Sequence, residues 1–350
     1  MRCGTCQKLA LQFTGAGAIV QANKRAGACR REDKPPRPAM NNRAMYSERF
    51  SARTEFVRIR SLDYHVWRWG APEADAPPLV LVHGWMDVGA SYQFMVDALS
   101  EAFVQGRTIL APDWRGFGLT KPPAPTDHYA FADYLADLDQ LLDHCAGDRP
   151  VDLVGHSMGG NIAMMYAGVR PARVRRLVNL EGFGMPASKP ESSARRYAEW
   201  MDEIRQLERG EMALKSYDSL DGVARRLMKT NPRLSQDKAQ WLAQHWAAQD
   251  ASGRWAILGD AAHKVKSAQI YRVDEAQALY AAITAPTLAV EASGDSLSQW
   301  WQGRYTLAQY HERLKAVADC RTAVIQDAGH MLHHDQPEAL AKLIEAFLLD

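Results

Sequence analysis

The chain has 350 residues, 47% of them hydrophobic, and its 42 Lys and Arg residues nearly balance 41 Asp and Glu residues. This composition can bury a large core, while a net charge of +1 provides no field that would gather nucleic acid or anionic lipid. No apolar run reaches the roughly eighteen residues that a membrane-spanning helix needs. The five cysteines are odd in number and scattered, which is typical of a reducing compartment. The sequence therefore predicts a soluble, cytoplasmic protein with no nucleic-acid partner and no membrane span.

The composition of residues 1–45 predicts a disordered N-terminal extension. They are rich in Lys, Arg, Gly and Pro and show neither helical nor strand periodicity. Met40 and Met45 are candidate alternative starts. Cys3 and Cys6 have the spacing of half a zinc or redox site, but no second Cys or His pair follows at ligand spacing, so we expect no metal there.

The segment from Phe56 to Trp69 alternates apolar and polar residues, which predicts two antiparallel edge strands joined by a turn at Leu62 and Asp63. Continuous apolar runs, predicted to be strands buried on both faces, follow at residues 78–84, 108–113, 151–154, 177–180, 286–290 and 322–325. Segments with helical spacing of apolar residues lie at 91–103 and 129–142. This alternation predicts an α/β fold whose mainly parallel sheet is flanked by helices on both faces.

The alternation stops between residues 183 and 275. This stretch is long, charged and helical in propensity, and its tryptophans are Trp200, Trp241, Trp246 and Trp255. We interpret it as an inserted helical cap, which leaves residues 46–182 and 276–350 as the α/β core. Tryptophans at helical spacing more often pack an insert onto its core than contact a substrate.

Residues 155–159, Gly-His-Ser-Met-Gly, lie between an apolar strand and a helix-like segment. A serine on such a sharp strand-to-helix turn needs glycines two residues before and after it, because Cβ atoms there would clash as the backbone reverses. The pattern predicts that Ser157 is a nucleophile. It also directs the backbone N–H of Met158, at the helix N-terminus, towards an oxyanion on the attacked carbonyl.

A serine hydroxyl needs a base within hydrogen-bonding reach. His330 is the predicted base, because it lies on a loop after the last candidate strand, at the edge of the sheet where open α/β sheets bind ligands. The following His333 and His334 lie in a polar run, and we expect them to face solvent or to cap the terminal helix.

Two carboxylates are candidates for orienting this base. Asp295 is preferred, because it follows a strand through a Gly-containing turn and gives the chain order Ser, Asp, His. Glu181 is the alternative, since it ends the strand immediately after that of the nucleophile. Glu291 is disfavoured because it is still within its strand, and the choice between Asp295 and Glu181 stays open.

The second oxyanion donor is predicted to be the backbone N–H of Trp85, in the His-Gly-Trp sequence that follows the strand at residues 79–82. The indole of Trp85 is placed to line an acyl pocket. His83 and His156 are expected to be structural, and Asp113 to order a loop at the rim of the pocket.

Together these motifs resemble the α/β-hydrolase fold superfamily, in particular its serine-hydrolase-like branch with a His-Gly-Trp oxyanion loop. The segments that carry the resemblance are residues 83–85, 113–118, 155–160, 294–295, 329–331 and 336–338. The resemblance implies a triad of Ser157, His330 and Asp295, backbone donors at Trp85 and Met158, and a cap over a mainly apolar pocket.

The predicted function is hydrolysis of a carboxylic ester or related acyl compound through an acyl-enzyme, with no cofactor and no metal. The expected partner is a small, mainly apolar acyl substrate, and the oligomeric state is left open. The same constellation would also serve a C–C bond hydrolase or a cofactor-free peroxidase. From another class, a non-catalytic module that binds a small ligand remains an alternative, because fold never fixes function.

Overall fold

A computed structural model describes residues 45–350, and nearly all of the expected N-terminal extension, including Cys3, Cys6 and Met40, lies outside this range. Its centre is an eight-stranded sheet with the order β1-β2-β4-β3-β5-β6-β10-β11. The strands are β1 (Arg53–Ile59), β2 (Leu62–Gly70), β3 (Leu79–Val82), β4 (Thr108–Pro112), β5 (Val151–His156), β6 (Val174–Leu180), β10 (Thr287–Ala292) and β11 (Cys320–Ile325). Only the pairs β1–β2 and β2–β4 are antiparallel among the pairings of this sheet. The predicted α/β fold is confirmed.

Helices cover both faces of the sheet, as the continuous apolar strands require. Residues of β3 alternate between the two sides: Leu79 and Leu81 pack in one core, Val80 and Val82 in the other, and all four are fully buried. The helices of the α/β core are α1 (Gln93–Ala98), α2 (Glu101–Gln105), α3 (Phe131–Ala146), α4 (Met158–Val169), α8 (Val273–Ala281), α9 (Ser296–Trp301), α10 (Leu307–Leu314), α11 (Leu332–Asp335) and α12 (Pro337–Leu349). Side chains of α1 and α12 pack in the first core, and those of α3, α4, α8 and α10 in the second.

Two local predictions differ from the structure. The hairpin turn between β1 and β2 is formed by Arg60 and Ser61, because Ile59 already pairs with Leu62 and Arg60 takes a positive φ of 54°. The predicted helix at 91–103 is divided, because Leu99 is extended and Ser100 caps a new helix by accepting a hydrogen bond from the Phe103 N–H at 3.2 Å.

The segment between β6 and α8 contains three long helices and a small sheet. Its elements are α5 (Ser193–Glu208), β7 (Ser216–Tyr217), α6 (Leu220–Thr230), α7 (Gln236–Trp246), β8 (Ala247–Gln249) and β9 (Trp255–Ile257). The three strands form an antiparallel sheet in the order β7-β9-β8, which the helical propensity of the segment did not indicate. Trp241 of α7 is buried against Tyr46 and Phe94, which anchors this segment to the α/β core.

A membrane-spanning helix would have to be longer and more apolar than any of the helices between residues 45 and 350.

Candidate active site

Ser157 lies on a strained turn between β5 and α4. Its backbone has φ 52° and ψ −114°, a conformation that residues with a side chain rarely adopt. The surrounding contacts hold it there, because the Ser157 N–H donates to the Leu180 carbonyl at 2.8 Å and the Ser157 carbonyl accepts from the Asn161 N–H at 3.0 Å. This is the geometry expected of a nucleophile elbow, in which strain exposes the hydroxyl above the sheet.

Glycine is required on both sides of the serine. A Cβ atom on Gly155 would lie 2.3 Å from the Gly159 carbonyl oxygen, and one on Gly159 would lie 2.2 Å from the Val82 carbonyl oxygen. Neither contact can be relieved by a side-chain rotation, because both involve backbone atoms. The elbow therefore packs directly against the end of β3.

His330 lies next to this elbow. Its ring packs against the ring of His156, with centroids 4.7 Å apart, and its backbone carbonyl accepts a hydrogen bond from His156 Nε2 at 2.8 Å. The edge of Trp300 covers the ring with a centroid distance of 4.0 Å. Within residues 45–350, Nε2 of His330 makes no hydrogen bond to protein and none joins this ring to the Ser157 hydroxyl. Catalytic hydrogen bonds often tighten only when substrate is bound.

The carboxylate that contacts His330 is Glu181. Its Oε2 lies 3.2 Å from His330 Nδ1, and the side chain is almost completely buried. Two further hydrogen bonds fix the carboxylate, one from the Ala292 N–H to Oε1 at 2.7 Å and one from the Ser296 hydroxyl to Oε2. Glu181 itself has a positive φ of 55°, so the backbone is turned sharply where β6 ends.

Asp295, the acid preferred from the sequence, does not contact His330. It is exposed, and its carboxylate caps α9 by accepting hydrogen bonds from the Ser298 N–H at 2.8 Å and the Ser298 hydroxyl at 2.5 Å. Local capping satisfies this Asp, as is common for an Asp that immediately precedes a helix. Glu291 is also engaged elsewhere, since its Oε1 lies 2.6 Å from His311 Nε2.

The two predicted oxyanion donors lie on either side of the elbow. Met158 is the first residue of α4, and Trp85 follows Gly84, whose Cα approaches the elbow so closely that a Cβ would lie 3.1 Å from Ser157 Cβ. In the described part of the chain, neither backbone N–H of Met158 or Trp85 donates to a protein acceptor. Free N–H groups beside a nucleophile are suited to stabilising an oxyanion.

Burial controls the protonation of the site histidines. It lowers the pKa of His330, and the nearby Glu181 carboxylate opposes this shift without cancelling it. Burial also lowers the pKa of His83 and of His156. Both of these rings contact backbone groups. His83 Nδ1 lies 2.7 Å from the Gly84 carbonyl oxygen and its Nε2 accepts a hydrogen bond from the Trp114 N–H at 2.9 Å, while His156 Nε2 contacts the His330 carbonyl oxygen.

His333 and His334 are buried, contrary to the prediction that they face solvent or cap a helix. The short helix α11 turns both rings inward, where each has Nε2 within hydrogen-bonding distance of the Ser91 hydroxyl, at 3.0 and 2.6 Å. That hydroxyl donates to Asp87 Oδ2 at 2.8 Å. Sequence reasoning missed Asp87 and Ser91; the one available signal is their spacing of four residues just after the His-Gly-Trp loop.

Asp113 holds the loops around it, whereas its predicted place at the rim of a substrate pocket stays a prediction. The buried carboxylate accepts from the Gly89 N–H at 2.7 Å and the Leu119 N–H at 3.0 Å, and it pairs with His65 Nδ1 at 2.8 Å. A separate cavity of about 520 Å³ is lined by Gly116, Gly118 and residues 121–125, 248–250 and 256–261, and none of the residues around Ser157 lines it.

Comparison with known proteins decides the family. The model of the alpha/beta hydrolase fold matches residues 77–337. The chain belongs to this family. It is similar to a serine hydrolase-like protein of Danio rerio, 25% identical over 284 residues that cover 80% of this chain and 83% of the relative. It is also similar to a putative carbamate hydrolase, RutD, of Variovorax paradoxus, 31% identical over 230 residues that cover 65% of this chain and 77% of the relative.

Among solved structures, the thioesterase domain from the curacin biosynthetic pathway resembles this member of the alpha/beta hydrolase family with a TM-score of 0.71. That domain is 23% identical, and the match covers 85% of this chain and 99% of the domain. At this identity the likeness shows the fold alone. The family and the names of its relatives support a hydrolase.

Proposed function

We propose that the protein is a serine hydrolase that cleaves a carboxylic ester or related acyl compound with Ser157, His330 and Glu181. The observation that carries the proposal is the contact between Glu181 Oε2 and His330 Nδ1, on a ring packed against the residue that precedes Ser157. A buried carboxylate at Nδ1 fixes the tautomer in which Nε2 is the free base. This arrangement replaces the predicted Asp295 by Glu181 and keeps the predicted nucleophile and base.

The chemistry then follows from these positions. His330 Nε2 takes the proton of the Ser157 hydroxyl as the oxygen attacks the acyl carbon, and the backbone N–H groups of Trp85 and Met158 stabilise the negative charge on the carbonyl oxygen. The protonated imidazole gives its proton to the leaving alcohol. A water molecule, activated by the same imidazole, releases the acid from Ser157. No step requires a metal or a cofactor.

We also propose that residues 183–275 close over the site as a cap. Support comes from contacts between this segment and the loops around the site: the Gly118 N–H donates to the Leu258 carbonyl and the Asp260 N–H to the Gly116 carbonyl, both at 2.9 Å. The Trp85 indole N–H reaches the His263 carbonyl at 3.3 Å. The cap therefore contacts the same residue whose backbone is proposed to bind the oxyanion.

An apolar acyl group fits the exposed side chains near the site. Trp300, about half exposed, packs on His330, and Trp85, also about half exposed, lies beside the proposed oxyanion donor. Aromatic surface next to a nucleophile favours an apolar substrate, since its burial releases water from both surfaces. The substrate class proposed is accordingly a small, mainly apolar acyl compound.

The test compares wild-type protein with Ser157→Ala on short p-nitrophenyl esters and with a fluorophosphonate probe. We expect the variant to lose turnover by a factor of up to about 10⁶, to background, and to lose covalent labelling. Ser61→Ala, which changes an exposed serine in the turn between β1 and β2, is the matched control and should keep both. Equal labelling of the Ser157→Ala variant would overturn the assignment, and labelling without ester turnover would direct the search to amide, thioester or C–C substrates.

A further inference from the structure

Next to the elbow, three buried side chains converge that the proposed reaction does not use. They are Asp87, His156 and His333, and one ligand atom from each lies within 4.8 Å of the others. All three are at least 97% buried. Two imidazoles and one carboxylate form a donor set that suits divalent transition metals.

Two nitrogens in this cluster lack a partner. His156 Nδ1 and His333 Nδ1 are both buried and make no hydrogen bond within the described residues. His156 Nε2 faces the His330 carbonyl, which can only accept, so the proton is on Nε2 and Nδ1 carries a bare lone pair. A lone pair buried without a donor is costly, and a bound cation would remove that cost.

The hydrogen-bond partners of these side chains are also of the kind found around metals. Metal-ligating histidines usually donate their other ring N–H to a carbonyl or a carboxylate, as His156 does to the His330 carbonyl. Asp87 is held by the Ser91 hydroxyl at 2.8 Å and by the Trp246 indole N–H at 3.1 Å. These contacts orient the donors before any ion arrives.

We propose that Asp87, His156 and His333 form a binding site for a divalent transition-metal ion, with Zn²⁺ as the probe ion. Donor atoms around tetrahedral Zn²⁺ are about 3.3 Å apart, as metal–ligand distances of about 2.0–2.1 Å require. His333 Nε2 lies 3.8 Å from Asp87 Oδ2, so binding through these atoms draws the two residues closer together. The reaction proposed above needs no metal, so the ion acts on the protein and not on the substrate.

Contraction of this site would shift three segments of the proposed active site, those that carry Trp85, Ser157 and His330. Asp87 lies two residues after Trp85, His156 immediately before Ser157, and His333 three residues after His330. A displacement of about 1 Å at a reacting group can reduce the rate about 100-fold. Zn²⁺ binding is thus expected to inhibit the enzyme, an effect that a chelator reverses; this consequence rests on the proposed function, whereas binding itself does not.

Binding is measured on the full-length Ser157→Ala protein, so that its outcome is independent of catalysis. Equilibrium dialysis with Zn²⁺, followed by metal analysis, gives the stoichiometry and the affinity. Three proteins are compared: Ser157→Ala alone, Ser157→Ala with His333→Gln, and Ser157→Ala with His334→Gln. His334 is the matched control, because it is adjacent, buried and bonded to the same Ser91 hydroxyl but is not one of the three ligands. Circular dichroism establishes that each variant is folded.

We expect one tightly bound Zn²⁺. Losing a hydrogen-bond partner of a metal ligand lowers metal affinity by about 10- to 100-fold, so losing a ligand in His333→Gln should lower the affinity by more than about 100-fold. His334→Gln should lower it by less than about 10-fold. Co²⁺ in place of Zn²⁺ should give the visible spectrum of a nitrogen and oxygen site, without the near-ultraviolet absorption of thiolate ligands such as Cys3 and Cys6. Equal affinity in the two histidine variants, thiolate spectra alone, or no uptake above background would each overturn the proposal.

Discussion

Glu181 and Asp295 follow adjacent parallel strands, β6 and β10, so both lie at the edge of the sheet that carries the elbow. Their environments differ completely. Glu181 is buried, points at His330 and receives hydrogen bonds from Ala292 and Ser296. Asp295 is exposed, and both of its carboxylate oxygens accept hydrogen bonds from Ser298, three residues later in the sequence.

The comparison shows that local and long-range interactions compete for a carboxylate. An Asp before a helix finds backbone N–H groups within its own turn, because its short side chain reaches them directly. Glu181 has no helix immediately after it, and its longer side chain reaches from the end of β6 to Ala292 at the end of β10 and to Ser296 beyond it. Chain order alone therefore could not distinguish the two acids.

The largest expected effect on kcat/KM comes from neutralising Glu181, and neutralising Asp295 provides the comparison. Glu181→Gln keeps the shape but removes the charge that holds the imidazole in its tautomer, so kcat/KM should fall by about 10³ to 10⁴. Asp295→Asn is the matched change and keeps the helix cap, since Asn and Asp cap equally well. We expect it to lower kcat/KM by less than about 2-fold, as for a surface change remote from the chemistry. Steady-state kinetics on one p-nitrophenyl ester checks both.

A larger loss in Asp295→Asn than in Glu181→Gln would contradict the assignment of the acid. Thermal unfolding of both variants separates a catalytic loss from a folding loss, because Glu181 also holds Ala292 and Ser296.

A second prediction concerns the pH dependence of the same variants. Because burial lowers the pKa of His330, its neutral, basic form persists to acid pH, and kcat/KM should fall only below pH about 6.5. Glu181 raises that pKa, so Glu181→Gln should move the midpoint further towards acid while lowering the plateau. Asp295→Asn should leave the midpoint unchanged. A midpoint of Glu181→Gln displaced to higher pH would refute the proposed pairing.

The smallest effect concerns stability. Asp295→Ala removes the cap of α9 and should lower the free energy of unfolding by about 1 kcal/mol, whereas Asp295→Asn should leave it nearly unchanged. Urea unfolding measures both. If Asp295→Ala were neutral in stability but impaired catalysis, the contrast between a structural Asp and a catalytic Glu would be lost.

The fold and part of the site follow from short segments of sequence. Continuous apolar runs predicted the inner strands, and the glycines around Ser157 predicted the elbow, because a Cβ at those positions would meet backbone. His330 was predicted from its place after the last strand, and the structure brings it beside the elbow. Its catalytic role, like that of Ser157, remains a prediction for the experiments above.

Other features depended on packing between distant segments. His333 and His334 read as polar in sequence, yet they are buried because Asp87 and Ser91, some 240 residues earlier, supply their polar contacts. The small sheet formed by β7, β8 and β9 was missed for a similar reason, since its strands of two or three residues are too short to show a period.

The sequence by itself determined the α/β architecture, the turn that carries Ser157 and the loop that carries His330, because hydrophobic periodicity and glycine sterics act over a few residues. The contact of His330 with Glu181 and not with Asp295, and the burial of Asp87 with its histidines, were decided only by the tertiary structure. The physical reason is that a buried polar group is stable only where hydrogen-bond partners satisfy it. Partners that are far apart in the chain come together only when the strands assemble.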